Sequence, residues 1–376
     1  MAQTADREVP TPIMRHHRDM EAARAALTEW LGAHLPGVSD LNLDPITTPG
    51  GTGVANETLL LRGRWREGGQ PRDGGFAVRL AAEDPFWVDA DIRTQFLMYE
   101  ALADEPNIPV PGVIGYEADP RFLGGPFYVM ERIEGQIPPD LPHFTEGGFV
   151  HDASPALRRQ LWEEGVRAMA NVHKADVRRL GFLHRPHLGE GGLRQELNYF
   201  RSYLDWARKG RTYDMLETGW EWLNANLPTD SQQGLSWGDS RIGNMIFRDF
   251  RVVAVLDWDT VSLAGPETDL AWWIQMERNA WEKLEGFRHP DDLVDYWESL
   301  TGWKVRHLHW HRVFTAFRLG SVSVKLHERM AKHGLIPADE VEERARVASG
   351  QQVALLLGLT PPGVVTAEPV QMNRGG

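Results

Sequence analysis

Two periodicities divide the chain near residue 132. On the N-terminal side, apolar positions come in short runs broken by glycine and proline. Leu59–Leu61, Phe76–Leu80, Val113–Tyr116 and Phe127–Met130 each read as a strand. Two stretches there follow three-to-four spacing and predict helices, Met20 to His34 and Ala90 to Leu102, while Pro109 and Pro111 suit a loop feeding a strand. Beyond Gly135 the helical period takes over, with helices expected near 155–175, 193–208, 212–226, 266–282, 291–300, 305–332 and 338–357. Only Met245–Phe247 and Val252–Leu256 interrupt it, as two short strands. The alternation predicts an α+β chain of two lobes: a small β-rich N-lobe over 1–132 and a larger, mainly helical C-lobe over 133–360. Residues 361–376 read as a flexible tail. The tract from Pro138 to Pro155 has little periodicity and reads as a loop beside a site or a long connection.

Between the C-lobe helices lies Trp237-Gly238-Asp239-Ser240-Arg241-Ile242-Gly243-Asn244, followed shortly by Asp257 at the end of an apolar run. These residue types fit phosphoryl transfer, which asks a protein to position a hydroxyl and to hold magnesium on nucleotide phosphates. Asp239 would orient the hydroxyl, and Asn244 with Asp257 would supply oxygen ligands to the hard cation. Asp and Asn beside glycine also build turns and cap helices. The catalytic reading gains from a second element upstream, Thr48-Pro49-Gly50-Gly51-Thr52-Gly53-Val54-Ala55-Asn56, whose glycines let backbone amides approach phosphate oxygens. Arg79 follows on the next apolar strand, where a kinase places its phosphate-neutralising cation.

The ordered set GGTGVANET, FAVRL, FYVMERIEG, SWGDSRIGN and VLDWDTVSLAGPETDLAW resembles the aminoglycoside phosphotransferase family of small-molecule kinases over about residues 45–330. More narrowly it is similar to a branch holding bacterial phosphotransferases and the kinase domains attached to some acyl-CoA dehydrogenases. The resemblance implies a bilobal protein-kinase-like fold, ATP and Mg2+ as cofactors, Asp239 as catalytic base, and Asn244 and Asp257 as metal ligands. It further implies that Gly53, Val54 and Asn56 cover the phosphates, that Arg79 contacts them, and that adenine lies against the hinge from Glu131 to Ile133, behind Met130. Hinge contacts through backbone groups leave GTP open as an alternative. Gln95 stands where the family carries a glutamate partner for the strand cation; its amide is expected to accept a hydrogen bond from Arg79. Asp269 is read as the cap of the helix that begins at Leu270. Trp237 replaces a histidine common in the family, and the carboxylates that aminoglycoside-modifying relatives carry at the very C-terminus are absent after Val370. The acceptor is therefore either an aminoglycoside-type compound or a metabolite such as a hydroxyacyl-CoA. A nucleotide-binding pseudokinase is the reading from another class.

Composition changes this picture little. With no cysteine, disulfides, thiolate metal sites and cysteine nucleophiles are excluded, which accords with a reducing cytoplasm. A net charge of -13 argues against a nucleic-acid partner, and the absence of a long apolar run argues against a membrane span. Oligomeric state leaves no trace in the sequence. Among 15 tryptophans, Trp273 and Trp281 are the candidates for an apolar acceptor pocket, although aromatics at helical spacing usually form core. His307 and His311 share a helix face but His309 does not, so a zinc site there would be incomplete. His173 reads as a packing and hydrogen-bonding residue between helices. Arg241 reads as the partner of a nearby carboxylate in preference to a phosphoryl contact.

Overall fold

The computed structural model describes residues 18–49, 55–365 and 367–373. Helix α1 (Met20–His34) starts where the side chain of Asp19 accepts from the amides of Glu21 and Ala22, and it buries Ala23, Leu27, Trp30 and Leu31. It lies against a five-stranded sheet of order β1-β2-β3-β5-β4. The strands are β1 (Val38–Leu43), β2 (Glu57–Glu67), β3 (Gln70–Leu80), β4 (Val113–Glu117) and β5 (Phe127–Glu131), paired antiparallel throughout. β1 is unexpected because its sequence, VSDLNL, is mostly polar and its burial slight. The hairpin of β2 and β3 also outruns its apolar stretches: Arg62, Arg64 and Arg66 alternate outward, and Gly68 and Gly69 turn the chain in the left-handed region. Helix α2 (Ile92–Leu102) packs on β4 and β5.

The second lobe contains the single-turn helix α3 (Phe149–Asp152), then α4 (Pro155–His173), α5 (Gly192–Arg208) and α6 (Asp214–Ala225). The hairpin β6 (Met245–Arg248) and β7 (Arg251–Val255) follows. After it come α7 (Pro266–Met276), the short α8 (Ala280–Lys283), α9 (Pro290–Thr301), α10 (Leu308–Lys332) and α11 (Val341–Leu356). The single helix expected over 266–282 is thus two, with the chain turning after Met276. Helix α10 is the spine, touching α5, α6, α7 and α11 and burying Val313, Phe314, Phe317 and Val324.

Two features tie distant parts together. Residues 367–373, expected as part of a flexible tail, are docked: Val370 and Met372 pack on the core, Arg312 donates to Val370 O (2.5 Å), and Asn373 donates twice to Asp291 (2.9 and 2.8 Å). Two apolar side chains within a polar stretch suffice to anchor it. Between β3 and α2, moreover, the chain leaves the small lobe and straps onto α5 and α10. Asp84 pairs with Lys332 (2.8 Å), Phe86 lies under the Arg329 guanidinium, Trp87 packs on Tyr203, and Tyr199 donates to Val88 O (3.1 Å). Among the described residues no helix is long and apolar enough to cross a membrane.

Candidate active site

The loop before β6 is built around a buried carboxylate. Both oxygens of Asp269, inside α7, accept hydrogen bonds: from the backbone amides of Trp237 (2.6 Å) and Gly238 (2.8 Å) and from Ser236 Oγ (2.9 Å). His173 completes the set. Trp297 Nε1 donates to its Nδ1 (2.9 Å), so the proton sits on Nε2, which faces Asp269 Oδ2 at 2.9 Å. The expected helix cap is therefore a cap on the loop before β6, and the N-cap of α7 is Gly265. Gly238 is required here: at φ +95° its backbone is left-handed, and a Cβ would stand 2.1 Å from Thr260 O.

This frame presents Asp239 at the surface of the cleft with both carboxylate oxygens engaged. Trp272 Nε1, from α7, donates to Oδ1 (2.7 Å), while Asn244 Nδ2 and Arg241 Nε donate to Oδ2 (2.7 and 3.3 Å). Asn244 also donates to Asp239 O (2.9 Å), so both its N–H groups point one way and its amide oxygen is left for another ligand. Arg241 reaches on to Asp140 (2.5 and 3.1 Å), in the tract after the hinge. Burial alone would weaken its hold on the proton; the charges of Asp239 and Asp140 outweigh that and raise its pKa. Arg241 thus has two carboxylate partners.

Asp257 sits just past β7 in the left-handed region (φ +64°), a conformation Asp tolerates better than most residues. Trp237 Nε1 fixes this corner by donating to Leu256 O (2.9 Å) and Asp257 O (3.1 Å), and Leu256 N donates to Asn244 O (2.9 Å). The large aromatic in place of the family's histidine is a scaffold for the bend that delivers Asp257. Burial raises the Asp257 pKa, with Arg79 opposing and Asp239 adding to the rise. An amide oxygen and a carboxylate form a hard-donor pair suited to Mg2+, which keeps waters and phosphate oxygens in its shell and needs no full protein cage. The described residues hold no group of three or more His, Cys, Asp or Glu side chains placed to share a metal ion.

The residue that sequence reading missed is Asp259. Its carboxylate gathers three residues of the small lobe: Asn56 Nδ2 donates to Oδ1 (2.9 Å), Gln95 Nε2 donates to the same oxygen, and Arg79 lies 3.6 Å from Oδ2. Burial first, and then Asp257, push its pKa up to about 7. Arg79 also donates to Thr58 Oγ1 (2.9 Å), directly across the ladder. For Arg79 the two aspartates overcome the cost of burial and strengthen its charged state. Gln95 therefore contacts Asp259 and Tyr128, whose hydroxyl donates to its Oε1 (3.1 Å), and the expected bond from Arg79 to Gln95 is replaced by a carboxylate between them. The Asp-Trp-Asp spacing was the available signal.

Gly53 and Val54 lie outside the described residues. At the hinge, Glu131 N donates to Gly112 O (2.8 Å) and Arg132 N to Gly75 O (2.9 Å), so these two amides serve the small lobe, and Gln136 then pairs with Phe247 of β6. Ile133 lies half-buried between these anchors, behind which Met130 is buried. Trp273 and Trp281 do not form an acceptor pocket: they border a cavity of about 10 Å³, room for about one water. His307 binds Asp230 (2.6 Å), whereas His311 is buried beside Thr268, so no zinc pair forms. A buried arginine, Arg318, also escaped sequence reading. It donates to Gly238 O (3.0 Å) and lies between the rings of Trp272 and Phe200, each centroid 4.6 Å away.

The sequence profile of the phosphotransferase enzyme family matches residues 61–309. The chain is 27% identical over 312 residues to the probable acyl-CoA dehydrogenase IBR3 of Arabidopsis thaliana, covering 75% of this chain and 36% of that protein. It thus spans about a third of the length of such relatives. Among solved structures it is similar to a protein of Ralstonia eutropha described as an aminoglycoside phosphotransferase (TM-score 0.65, 19% identity, covering 89% of this chain and 98% of that one). It is also similar to ADP-bound aminoglycoside phosphotransferase APH(2'')-Ib (TM-score 0.52, 14% identity, covering 90% and 99%). These two likenesses describe the fold.

Proposed function

The chain belongs to the phosphotransferase enzyme family and is a small-molecule phosphotransferase with a hydroxyl acceptor; from that premise we propose that it is a kinase using Mg-ATP. Asp239 orients the acceptor hydroxyl and takes its proton, Asn244 and Asp257 hold the metal, and Arg79 with Gly53, Val54 and Asn56 receives the phosphates. Gln95 acts on that cation through Asp259, and the hinge from Glu131 to Ile133 receives the base, with GTP as the alternative to ATP. When bound, the metal neutralises charge on the phosphates. The observation that carries the reading is the orientation of Asn244: its amide nitrogen serves Asp239 twice, so its oxygen is left for a hard cation.

For the acceptor, two classes stand. The family's aminoglycoside-type compounds are one. Hydroxyl-bearing acyl-CoA metabolites are the other, favoured by the relatives named acyl-CoA dehydrogenases. The reading places the reaction in the cytoplasm, with no nucleic acid or membrane as partner; the acidic balance and the lack of cysteine support it.

The test is a mass-spectrometric screen with magnesium and ATP against aminoglycosides, macrolides, hydroxyacyl-CoAs and simple sugars, with Asp239→Ala as blank. One compound class should gain the mass of a phosphoryl group with the parent protein and not with the variant. Equal product from both would remove Asp239 from the chemistry. No product, with a clear Mg-ATP-dependent thermal shift, would favour a pseudokinase.

A further inference from the structure

We propose that Asp259 takes the place of the absent helix glutamate as the positioning residue for Arg79, and that it does so from the opposite lobe. In kinases a strand lysine and a helix glutamate form an ion pair that sets the cation against the nucleotide phosphates. Here α2 offers a neutral amide at Gln95, yet Arg79 is not left without an acid. Its guanidinium stands 3.6 Å from Asp259 Oδ2, and Gln95 Nε2 donates to the other oxygen of the same carboxylate. The orientation of Gln95 is set independently, because Tyr128 OH donates to its Oε1 and so directs the amide nitrogen toward Asp259. Asn56, at the end of the glycine loop, makes a third contact at 2.9 Å.

The arrangement has a mechanical meaning. A glutamate on α2 would tie the cation to its own lobe; Asp259 follows β7 and lies two residues from Asp257, to whose Oδ1 its amide donates (3.4 Å). The phosphate cation, the glycine loop and the metal-ligand corner thus share one carboxylate. With its side chain 8% exposed, Asp259 is well shielded from solvent, so its attraction for Arg79 is little screened. Gln95 belongs to the arrangement as the donor that holds Asp259, and Asp259 supplies the carboxyl group that a helix glutamate would otherwise bring.

The proposal rests on the Mg-ATP reading above, so the first measurement separates the two. A thermal shift of the parent protein with Mg-ATP is expected; its absence would overturn that reading and this proposal together. Next come Asp259→Asn and the double variant Asp259→Asn with Gln95→Glu, which moves the charge back to the helix. The single variant is expected to raise the KM for ATP by about tenfold or more, with a smaller fall in kcat, because it removes the carboxylate 3.6 Å from Arg79 and leaves only Asp257 acting on that cation. The double variant is expected to recover most of that loss. A purely structural role would not be rescued by returning the charge from a different element. If the single variant does not fold, the double variant must still fold and show the Mg-ATP shift. An unchanged KM in the single variant, or a loss the double variant does not recover, would overturn the proposal while leaving the kinase reading in place.

Discussion

Trp272 reports on Asp239 more cleanly than the residues expected to share the site with it. Its indole nitrogen lies 2.7 Å from Oδ1, while its ring faces the Arg318 guanidinium, so Trp272→Phe removes one donor and keeps most of the aromatic packing. A hydrogen bond to a charged group contributes about 1.5–3 kcal/mol, so kcat should fall roughly ten- to a hundredfold while the KM for ATP stays near the parent's. Steady-state kinetics checks this, and an unchanged kcat would show that Asn244 and Arg241 hold the carboxylate unaided. Neither Trp272 nor Arg318 was legible in the sequence. Their roles depend on two helices crossing behind a loop, and a tryptophan in an apolar helix has no local mark that separates core from support. Asp239, Asn244 and Asp257 were legible because their spacing is local: six consecutive residues and the end of one hairpin bring them together. Asp259 stood beside them, but its partners lie some 160 to 200 positions away in the chain.

At the scale of the element, α7 does more than its apolar pattern suggests. Pro266 starts it, and its first turns bury Glu267, Thr268 and Asp269 in succession. Asp269 is satisfied by the loop before β6. Glu267, by contrast, is held chiefly by burial at a pKa of about 7, against its ordinary 4.5, with backbone groups of Glu267, Arg306 and Gln232 offsetting only part of that cost. Between those two values the folded protein keeps a proton that the unfolded chain releases. Stability from this group is therefore full below about pH 4.5 and is lost as pH rises toward 7, by up to about 3 kcal/mol. Glu267→Gln should flatten the difference in unfolding free energy between pH 5 and pH 8 relative to the parent, measured by denaturant titration at each pH. An identical pH slope in both proteins would show that Glu267 is ionised throughout.

Other elements show where pattern reading works and where it stops. The bounds of α1 and of the β6–β7 hairpin follow from apolar spacing and local caps. β1 and the outer halves of β2 and β3 do not, since their polar and glycine residues, Arg62-Gly63-Arg64 among them, give no apolar alternation to read; the register from Glu57↔Leu80 to Glu67↔Gln70 comes from the two-glycine turn and the ladder.

For the whole molecule, the division into a sheet lobe and a helical lobe was readable because the change of period falls at the hinge. The strap from Asp84 to Val88 was not, because short polar and aromatic stretches read alike whether they stay at home or cross to a neighbour. Phe86 is 2% exposed and lies under Arg329, so Phe86→Ala together with Asp84→Ala should cost about 3–5 kcal/mol and loosen the connection. Denaturant unfolding would give the cost. Small-angle scattering of the nucleotide-free protein should show a larger radius of gyration in the variant, and an unchanged radius would mean the lobes stay together without the strap.

A rigid piece attached at a single point can tilt in any direction, whereas one attached at two separated points can only swing about the line joining them. The sheet lobe is held at more than two: besides the chain after Glu131 and the strap, Val255 N donates to Pro109 O (2.8 Å) and Asn171 Nδ2 to Asn107 O (2.9 Å), so Arg79 and Asn56 meet Asp259 in one fixed setting.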